Sequence, residues 1–377
     1  MDIINKLKKV LYSLATDKKN SLIYLPIKII LLFLSFIYYL IVKWISYCYD
    51  AGIFSQTRLP SKVISIGNIT VGGVGKTPIV ELIARLIKEN NKKNPVILTR
   101  GYMAGRASVI KKGTKEGVNY KQRQYKIVSD EACMLKEKLN YDIPIIVGPN
   151  RINNAINFLK NYEADIFILD DGFQYRKLFR NMDIVAVDTT NPWGNGFLMP
   201  RGILREPISA LKRADIFILT KTDLGIHNIE YIKRKLHEIA NGIPIVETIH
   251  KPICLKELSS KLEESLEYVK GKKIAALASI GDSLSFKKTL EGIGCIIEKN
   301  FFFIDHYIYN INDIDYICSQ CCLENVNIII TTEKDAVKLH KYSCYFKNIV
   351  IFYLEIEIYI TKGKDVLIER INHLLQC

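Results

Sequence analysis

The sequence predicts an α/β protein: a mostly parallel sheet sandwiched by helices, with a second, smaller α/β domain and an N-terminal membrane-associated helix. From residue 62 onward, short apolar runs alternate with amphipathic stretches, which is the pattern of parallel strands covered by helices on both faces. The character of the chain changes near Gly225, and a second set of apolar runs follows. We therefore expect three parts, at residues 1–60, 61–230 and 231–377.

An uncharged apolar run at residues 29–42 lies between Lys28 and Lys43 in the first part. It is shorter than the roughly 20 apolar residues that a spanning helix needs, and no small-residue cleavage site follows it. The lysines before it and the aromatic residues after it, including Trp44 and Tyr47, suit a helix at the cytoplasmic face of the inner membrane, peripheral or monotopic. A buried core helix in a soluble protein is the alternative.

The composition narrows the classes of partner. The formal net charge of +14 favours phosphates, nucleotides or anionic lipids. The lysines are scattered and do not interleave with aromatic residues, so we expect no nucleic acid partner. The nine cysteines form an odd, irregular set, which argues against a disulfide framework and favours a reducing compartment. No feature of the sequence points to an obligate protein partner.

The apolar runs predict two sets of strands. The first set lies at 63–66, 96–99, 143–147, 165–169, 184–187 and 216–219, and the second at 243–248, 274–277, 326–330 and 349–354. Polar or glycine-rich residues follow most of these runs. Open α/β sheets bind ligands at the carboxyl ends of their strands, so we expect the functional residues there.

A glycine-rich segment follows the first predicted strand. Residues 67–78 read GNITVGGVGKTP, and a helical pattern comes next, so strand, loop and helix occur in the order of a P-loop NTPase. Backbone N–H groups would cradle phosphates, Lys76 would reach the β- and γ-phosphates of a nucleotide, and Thr77 would ligate Mg²⁺. The strict motif has glycine where this chain has Thr70. The predicted nucleotide-binding residues are Thr70, Val71, Gly72, Gly73, Val74, Gly75, Lys76, Thr77 and Pro78.

An acidic pair follows the fourth predicted strand. The run ADIFILDDGFQ at 164–174 carries Asp170 and Asp171 to the carboxyl end of that strand. At least one of them, together with Thr77, is predicted to hold Mg²⁺ directly or through water, as the acidic residue of P-loop enzymes does. Asp165, at the start of the strand, is expected to be structural.

A second class of P-loop protein remains open at this point. The segment TKTD at 220–223 resembles the base-binding N-K-x-D of GTPases, with Thr220 in place of asparagine. The GTPase D-x-x-G spacing is absent around Asp170, which favours a kinase. A P-loop GTPase or another nucleotide-dependent membrane-associated protein is the alternative.

Several blocks in order make the chain resemble the tetraacyldisaccharide 4'-kinase (lipid A 4'-kinase) family from about residue 61 to residue 339. Besides the glycine loop and DDGFQ, these blocks are TRGY at 99–102, DE at 130–131, GNG at 194–196, LREP at 204–207, DH at 305–306 and TEKDAVK at 332–338. The resemblance implies an ATP-dependent lipid kinase, with Mg²⁺, that transfers the γ-phosphate to the 4'-hydroxyl of a tetraacyldisaccharide 1-phosphate in lipid A biosynthesis. It also implies work at the membrane surface and an N-terminal membrane-binding helix.

The resemblance further implies residue roles. Asp130 would be the base for the hydroxyl proton and His306 its partner, with Asp305 as the next candidate and Lys76 as a catalytic cation. Judged by its sequence position alone, Asp130 is equally suited to capping a helix. The candidate substrate-binding residues are Arg151, Arg205, Glu206 and Tyr102. The chain departs from the family at Tyr175, where histidine is usual, and at Ser129, where glycine is usual.

Overall fold

The structure, a computed structural model, describes residues 13–17, 22–101, 108–110, 130–140 and 142–376. It divides into two compact units, one of residues 1–249 and 360–377 and one of residues 250–359. The boundary predicted at residue 230 lies within the first unit. The first unit extends past residue 230 for two reasons. The helix at Ile229–Ile239 and the first residues of the strand that begins at Ile245 still belong to it, and the C-terminal residues 360–377 return to it.

The regular elements of the described residues are as follows. The strands are β1 (Lys62–Gly67), β2 (Pro95–Thr99), β3 (Ser108–Ile110), β4 (Ile145–Val147), β5 (Ile166–Asp170), β6 (Met182–Asp188), β7 (Ile216–Thr220), β8 (Ile245–Glu257), β9 (Glu263–Glu264), β10 (Lys273–Ala278), β11 (Ile296–Phe302), β12 (Ile328–Thr332) and β13 (Val350–Lys362). The α-helices are α1 (Leu25–Asp50), α2 (Lys76–Asn91), α3 (Asp130–Lys138), α4 (Arg151–Leu159), α5 (Ile229–Ile239), α6 (Ser283–Gly292), α7 (Ile311–Leu323), α8 (Glu333–Leu339) and α9 (Lys364–Gln376).

The sheet of the first unit has the order β3-β4-β2-β5-β1-β6-β7-β8. The pairs are parallel except β3 with β4. The central strands β5, β6 and β7 are buried along their whole length because helices cover both faces, as parallel sheets require. The predicted mostly parallel α/β fold is confirmed. Since β1 pairs with β5, Ile66 lies opposite Asp170, and this register brings the end of β5 beside the glycine loop.

The second unit is a smaller parallel sheet with the order β11-β10-β12-β13. The short strand β9 pairs antiparallel with the second half of β8. Two apolar clusters fill the unit, one around Ile314 and Ile329 and the other around Ile274 and Phe352. The predicted smaller α/β domain is therefore present, and the loop with Asp305 follows its strand β11.

Helix α1 is longer than the uncharged run predicts. It has 26 residues, and it is the helix among those described that is long and apolar enough to cross a membrane by length and composition. Only 11% of its most apolar window is buried; Phe33 and Trp44, for example, are 64% and 61% exposed. A core helix would be mostly covered, so this exposure disfavours the alternative of a soluble core helix.

Candidate active site

The glycine loop joins β1 to α2, in the predicted order of strand, loop and helix. Thr70 to Gly75 lie in the loop, and Lys76, Thr77 and Pro78 form the first turn of α2. Gly72 has φ +135° and Gly75 has φ +87°, which is the left-handed region that favours glycine. Thr70 is not among the residues of positive φ, so its position does not require the glycine of the strict motif.

Neighbouring segments hold the loop on two sides. The N–H of Val71 donates to the carbonyl of Ile203 at 2.8 Å, and the N–H of Arg205 donates to the carbonyl of Ile69 at 2.7 Å. At the end of β7, the Thr220 hydroxyl donates to the carbonyl of Val74 at 2.9 Å, and the Lys221 ammonium donates to that of Gly73 at 3.1 Å. The loop is thus fixed with its backbone N–H groups at the N-terminus of α2, where helices bind phosphate.

Lys76 lies between the loop and the acidic pair. Its Nζ is 3.4 Å from Oδ1 of Asp171 and donates to Oδ1 of Asn68 at 3.0 Å. Burial lowers the pKa of the Lys76 ammonium, against the opposing charge of Asp171. A lysine held in this way is a cation that lacks full hydration, so a phosphate oxygen gains more from it than from an exposed lysine.

The two carboxylates at the end of β5 have opposite electrostatic environments. Burial, and then the charge of Asp171, raises the pKa of Asp170 to about 6, and its Oδ2 accepts a hydrogen bond from the Thr99 hydroxyl at 3.0 Å. Burial also raises the pKa of Asp171, but Lys76 and Arg205 outweigh it and hold that pKa well below its usual range. A cation would favour the ionised form of Asp170. Carboxylate and hydroxyl oxygens, the groups that Asp170, Asp171 and Thr77 carry, are ligands of the kind that Mg²⁺ binds.

Both candidate arginines contact Asp171. Arg205 donates to its two carboxylate oxygens at 2.9 and 3.0 Å and also contacts Oδ1 of Asn68. Arg151 is 4% exposed and donates to the backbone carbonyl of Asp171 at 3.2 Å. Its guanidinium lies 5.0 Å from the centre of the Tyr175 ring. The structure therefore places the unusual Tyr175 against an arginine of the site.

The structure describes one of the other two candidate substrate residues, Glu206. Glu206 is buried and pairs with Arg213 at 2.8 Å, and the Arg213 guanidinium lies 4.3 Å from the centre of the Phe173 ring. Glu206 is thus engaged in an ion pair within the first unit. Tyr102 lies outside the described residues.

The candidate groups for proton transfer belong to different units. Asp130 is the first residue of α3 in the first unit and is partly buried. In the second unit, the Lys334 ammonium contacts Oδ1 of Asp305 at 2.9 Å and Nε2 of His306 at 3.2 Å. An ammonium group can only donate, so Nε2 accepts and the proton of a neutral imidazole lies on Nδ1. His306 has φ +58°, which fixes its position at a tight turn.

Most of the chain matches one family of known proteins. The family model described as LpxK, tetraacyldisaccharide-1-P 4'-kinase, matches residues 27–376. The chain belongs to this family. A tetraacyldisaccharide 4'-kinase from Syntrophus aciditrophicus is 39% identical over 313 residues, 77% of this chain and 79% of that protein, and one from Halothermothrix orenii is 34% identical over 346 residues, 89% of each.

A solved structure of the same family agrees with the fold. The crystal structure of LpxK from Aquifex aeolicus, described as the apo form in complex with ATP, superposes with a TM-score of 0.70 at 26% identity. The match covers 93% of this chain and 99% of that one. Membership in the 4'-kinase family decides between the two classes of P-loop protein: the kinase prediction is confirmed, and the GTPase alternative is wrong.

Three functional candidates in this 4'-kinase were missed by the sequence analysis. Asn68 bonds Thr70, Lys76 and Arg205 through its side chain. Thr220 and Lys221 belong to the TKTD segment, which was interpreted only as a sign of a base-binding motif. The structure shows that their side chains donate hydrogen bonds to backbone carbonyls of the glycine loop, whereas Asp223 is exposed. The available signal was their place at the end of a buried strand next to β6.

Proposed function

We propose that this chain transfers the γ-phosphoryl group of ATP to the 4'-hydroxyl of a tetraacyldisaccharide 1-phosphate, a step of lipid A biosynthesis. The observation that carries the proposal is the position of Lys76, 3.4 Å from Asp171 at the mouth of the glycine loop. The family model and the ATP complex of the Aquifex aeolicus relative support it. The assignment of each role to a residue of this chain is part of the proposal.

The nucleotide phosphates bind at the start of α2. The N–H groups of Val71 and Val74 bond the carbonyls of Ile203 and Gly72. The other backbone N–H groups of the loop and the positive end of the helix dipole attract the β- and γ-phosphates. Lys76 neutralises the negative charge that develops between the transferred group and its leaving oxygen. Arg205 bonds the carboxylate of Asp171 and Arg151 bonds its backbone carbonyl, so both can contribute positive charge for a nucleotide or substrate phosphate.

Asp170, Asp171 and Thr77 would hold Mg²⁺. A Mg²⁺ ion held there would neutralise part of the charge on the phosphate oxygens. Arg205 takes both oxygens of Asp171, whereas the described hydrogen bond to Asp170 uses only Oδ2. Asp170 is therefore the better candidate for direct coordination and Asp171 for coordination through water.

The lipid hydroxyl needs a base because it is a poor nucleophile near neutral pH. In the proposed step the hydroxyl oxygen forms a bond to the γ-phosphorus, the bond from that phosphorus to the leaving oxygen of ADP breaks, and the hydroxyl proton passes to Asp130. His306 is the second proposed catalytic residue, and Asp305 is the next candidate. Glu206 and Tyr102 remain proposed substrate-binding residues.

The reaction is proposed to take place at the cytoplasmic face of the inner membrane. The exposed apolar side chains of α1 suit contact with lipid, and the lysines of the preceding segment suit the cytoplasmic surface. ATP is supplied on that side. The helix thereby brings the glycine loop to the surface in which the acyl chains of the substrate are embedded.

The test uses γ-labelled ATP with membranes that contain the disaccharide 1-phosphate. The intact protein should label the lipid, and Lys76→Ala should label it about 1,000-fold more slowly because charge stabilisation in the transition state is lost. Lys88→Ala is the matched control, since Lys88 is an exposed lysine of the same helix. Label that never enters lipid with the intact protein, or enters equally with Lys76→Ala, would reject the proposal.

A further inference from the structure

The inner face of α1 donates two side-chain hydrogen bonds to one segment of the first unit. Ser35 and Tyr38 lie three residues apart and so share a face of the helix. The Ser35 hydroxyl donates to the carbonyl of Leu198 at 2.8 Å and is buried. The Tyr38 hydroxyl donates to the carbonyl of Arg205 at 2.9 Å. Residues 198–205, here named the support segment, are therefore held by α1 at both ends.

The support segment is also bonded to the glycine loop. Its Ile203 accepts from the N–H of Val71, its Arg205 donates to the carbonyl of Ile69, and Leu204 forms a bridge with Thr70. The Arg205 side chain continues to Asp171. The carbonyl that Tyr38 binds thus belongs to the residue that joins the loop to the acidic pair.

A third contact fixes the same segment. Asp17, which precedes α1, accepts from Lys28 at 2.8 Å and from Arg201 at 2.9 Å. It also accepts from Asn195 at 3.1 Å. Arg201 lies within the support segment, and its Nη1 donates to the carbonyl of Leu14. The residues around α1 therefore attach to the support segment by side-chain bonds along its length and not by apolar packing alone.

We propose that Tyr38 is a positioning residue of the phosphate site, so that α1 supports nucleotide binding in addition to contacting the membrane. The part that concerns the nucleotide rests on contacts within the first unit, and only the membrane part rests on the proposed function. Without the phenol the carbonyl of Arg205 loses its donor. The backbone of Arg205 is then less constrained, and its bonds to Ile69 and Asp171 weaken together.

The test measures binding of a non-hydrolysable ATP analogue to the full chain in detergent micelles. A net hydrogen bond contributes about 1 kcal/mol, so Tyr38→Phe should raise the dissociation constant and the KM for ATP about fivefold, with kcat changed less than twofold. Tyr39→Phe is the matched control, because Tyr39 packs on the same apolar cluster and its hydroxyl has no hydrogen bond among those described. Unchanged analogue binding by Tyr38→Phe, or an equal loss in Tyr39→Phe, would overturn the proposal.

A second variant separates support from membrane contact. Phe33 lies on the exposed side of α1 and is 64% exposed. Phe33→Ser should reduce flotation with vesicles of anionic phospholipid while leaving analogue binding in micelles unchanged, and Tyr38→Phe should do the reverse. If Phe33→Ser weakened analogue binding as much as Tyr38→Phe, a general loss of helix structure would replace the proposal. If lipid labelling failed while these binding results held, the proposed lipid substrate would fail and the positioning role would stand.

Discussion

The glycine loop with its acidic pair and the turn at Asp305 and His306 are built in different ways. In the first region, Lys76 and Asp171 lie among buried groups with several partners each. In the second, Asp305 and His306 are partly exposed, and the described contacts join them to Lys334 and to each other. Both oxygens of Asp171 accept from Arg205, and Lys76 approaches one of them, whereas the described bonds to Asp305 use Oδ1 alone. The turn is therefore held by fewer described bonds, and less firmly, than the loop.

The residues that follow His306 are bonded to the core of the second unit. The Tyr307 carbonyl accepts from Lys338 at 3.4 Å, and the Tyr309 hydroxyl donates to Asp335 at 3.3 Å. Asp335 is fully buried and also accepts from the backbone N–H of Ser279 at 2.7 Å. This difference teaches that the proposed phosphate site is preformed, whereas His306, the proposed partner of the base Asp130, lies on a loop beside a rigid core, as catalytic loop residues often do.

The largest expected effect concerns the firmly held region. Asp170→Asn removes the proposed direct ligand of Mg²⁺ and should lower kcat/KM for Mg·ATP about 1,000-fold. In the intact protein the same quantity should fall as the pH drops through about 6, because protonation of Asp170 competes with metal binding. Initial rates between pH 5 and 8 at a Mg²⁺ concentration below saturation test this, and saturating Mg²⁺ should move the fall to lower pH.

Stability gives an independent measure of the same carboxylate. A carboxyl group whose pKa is raised in the folded state destabilises the fold at pH values above that pKa. This cost disappears as the pH falls towards the pKa of the same group in the unfolded state. Without Mg²⁺, Asp170→Asn should therefore raise the free energy of unfolding at pH 8 by an amount on the order of 2 kcal/mol. The Tm should rise with it. The gain should vanish near pH 4. A loss of stability at pH 8 would contradict the raised pKa of Asp170.

The second effect concerns the proposed proton-transfer residues, of which His306 lies in the loosely held turn and Asp130 at the start of α3. Asp130→Asn and His306→Ala should each lower kcat about 100-fold, the usual contribution of general base catalysis. The dissociation constant of an ATP analogue should change little, because neither residue belongs to the glycine loop. Single-turnover rates and analogue titrations separate the two quantities. Full activity in both variants would remove them from the mechanism, and a parallel loss of nucleotide affinity would erase the contrast between the two regions.

The third effect concerns the buried lysine behind the glycine loop. Lys221→Met should raise the KM for ATP about tenfold, since it removes the bond to the Gly73 carbonyl and a charged hydrogen bond contributes roughly 1.5–3 kcal/mol. It also leaves Asp188, its buried partner, uncompensated at a cost of about 3–5 kcal/mol in stability. Lys221→Met with Asp188→Asn should recover most of the stability and keep the raised KM. Recovery of both would show that Lys221 acts on stability alone.

The sequence predicted the parts of the site that depend on local order. Strand, glycine loop and helix around Lys76, and the strand that ends in Asp170, follow from apolar runs and glycine positions, and the structure brings them together because β1 and β5 are neighbours. The contacts of Lys221 and Arg205 with the loop depend on which strands and segments become neighbours. That information is not local.

The helix and domain bounds show the same limit. The uncharged run predicted a short interfacial helix, but α1 continues past Lys28 and Lys43 to 26 residues, because lysines interrupt a hydropathy pattern without interrupting helical hydrogen bonding. The sequence near residue 230 gives no sign that α9 returns to the first unit. The return is visible only once Leu367 and Ile371 are seen to pack in the same core as Ile83.

The smallest expected effect concerns Tyr175, where the family usually has histidine. Its ring lies against the Arg151 guanidinium, and a buried cation–π contact contributes about 1–2 kcal/mol. Tyr175→Phe keeps the ring face and should change kcat/KM for ATP less than twofold, while Tyr175→Ala should lower it about fivefold to tenfold. Steady-state kinetics of the two variants decide the matter. Equal losses in both variants would mean that the phenol oxygen of Tyr175, and not the face of its ring, is required. The Tyr175 hydroxyl would then be a group of the firmly held region that binds a ligand.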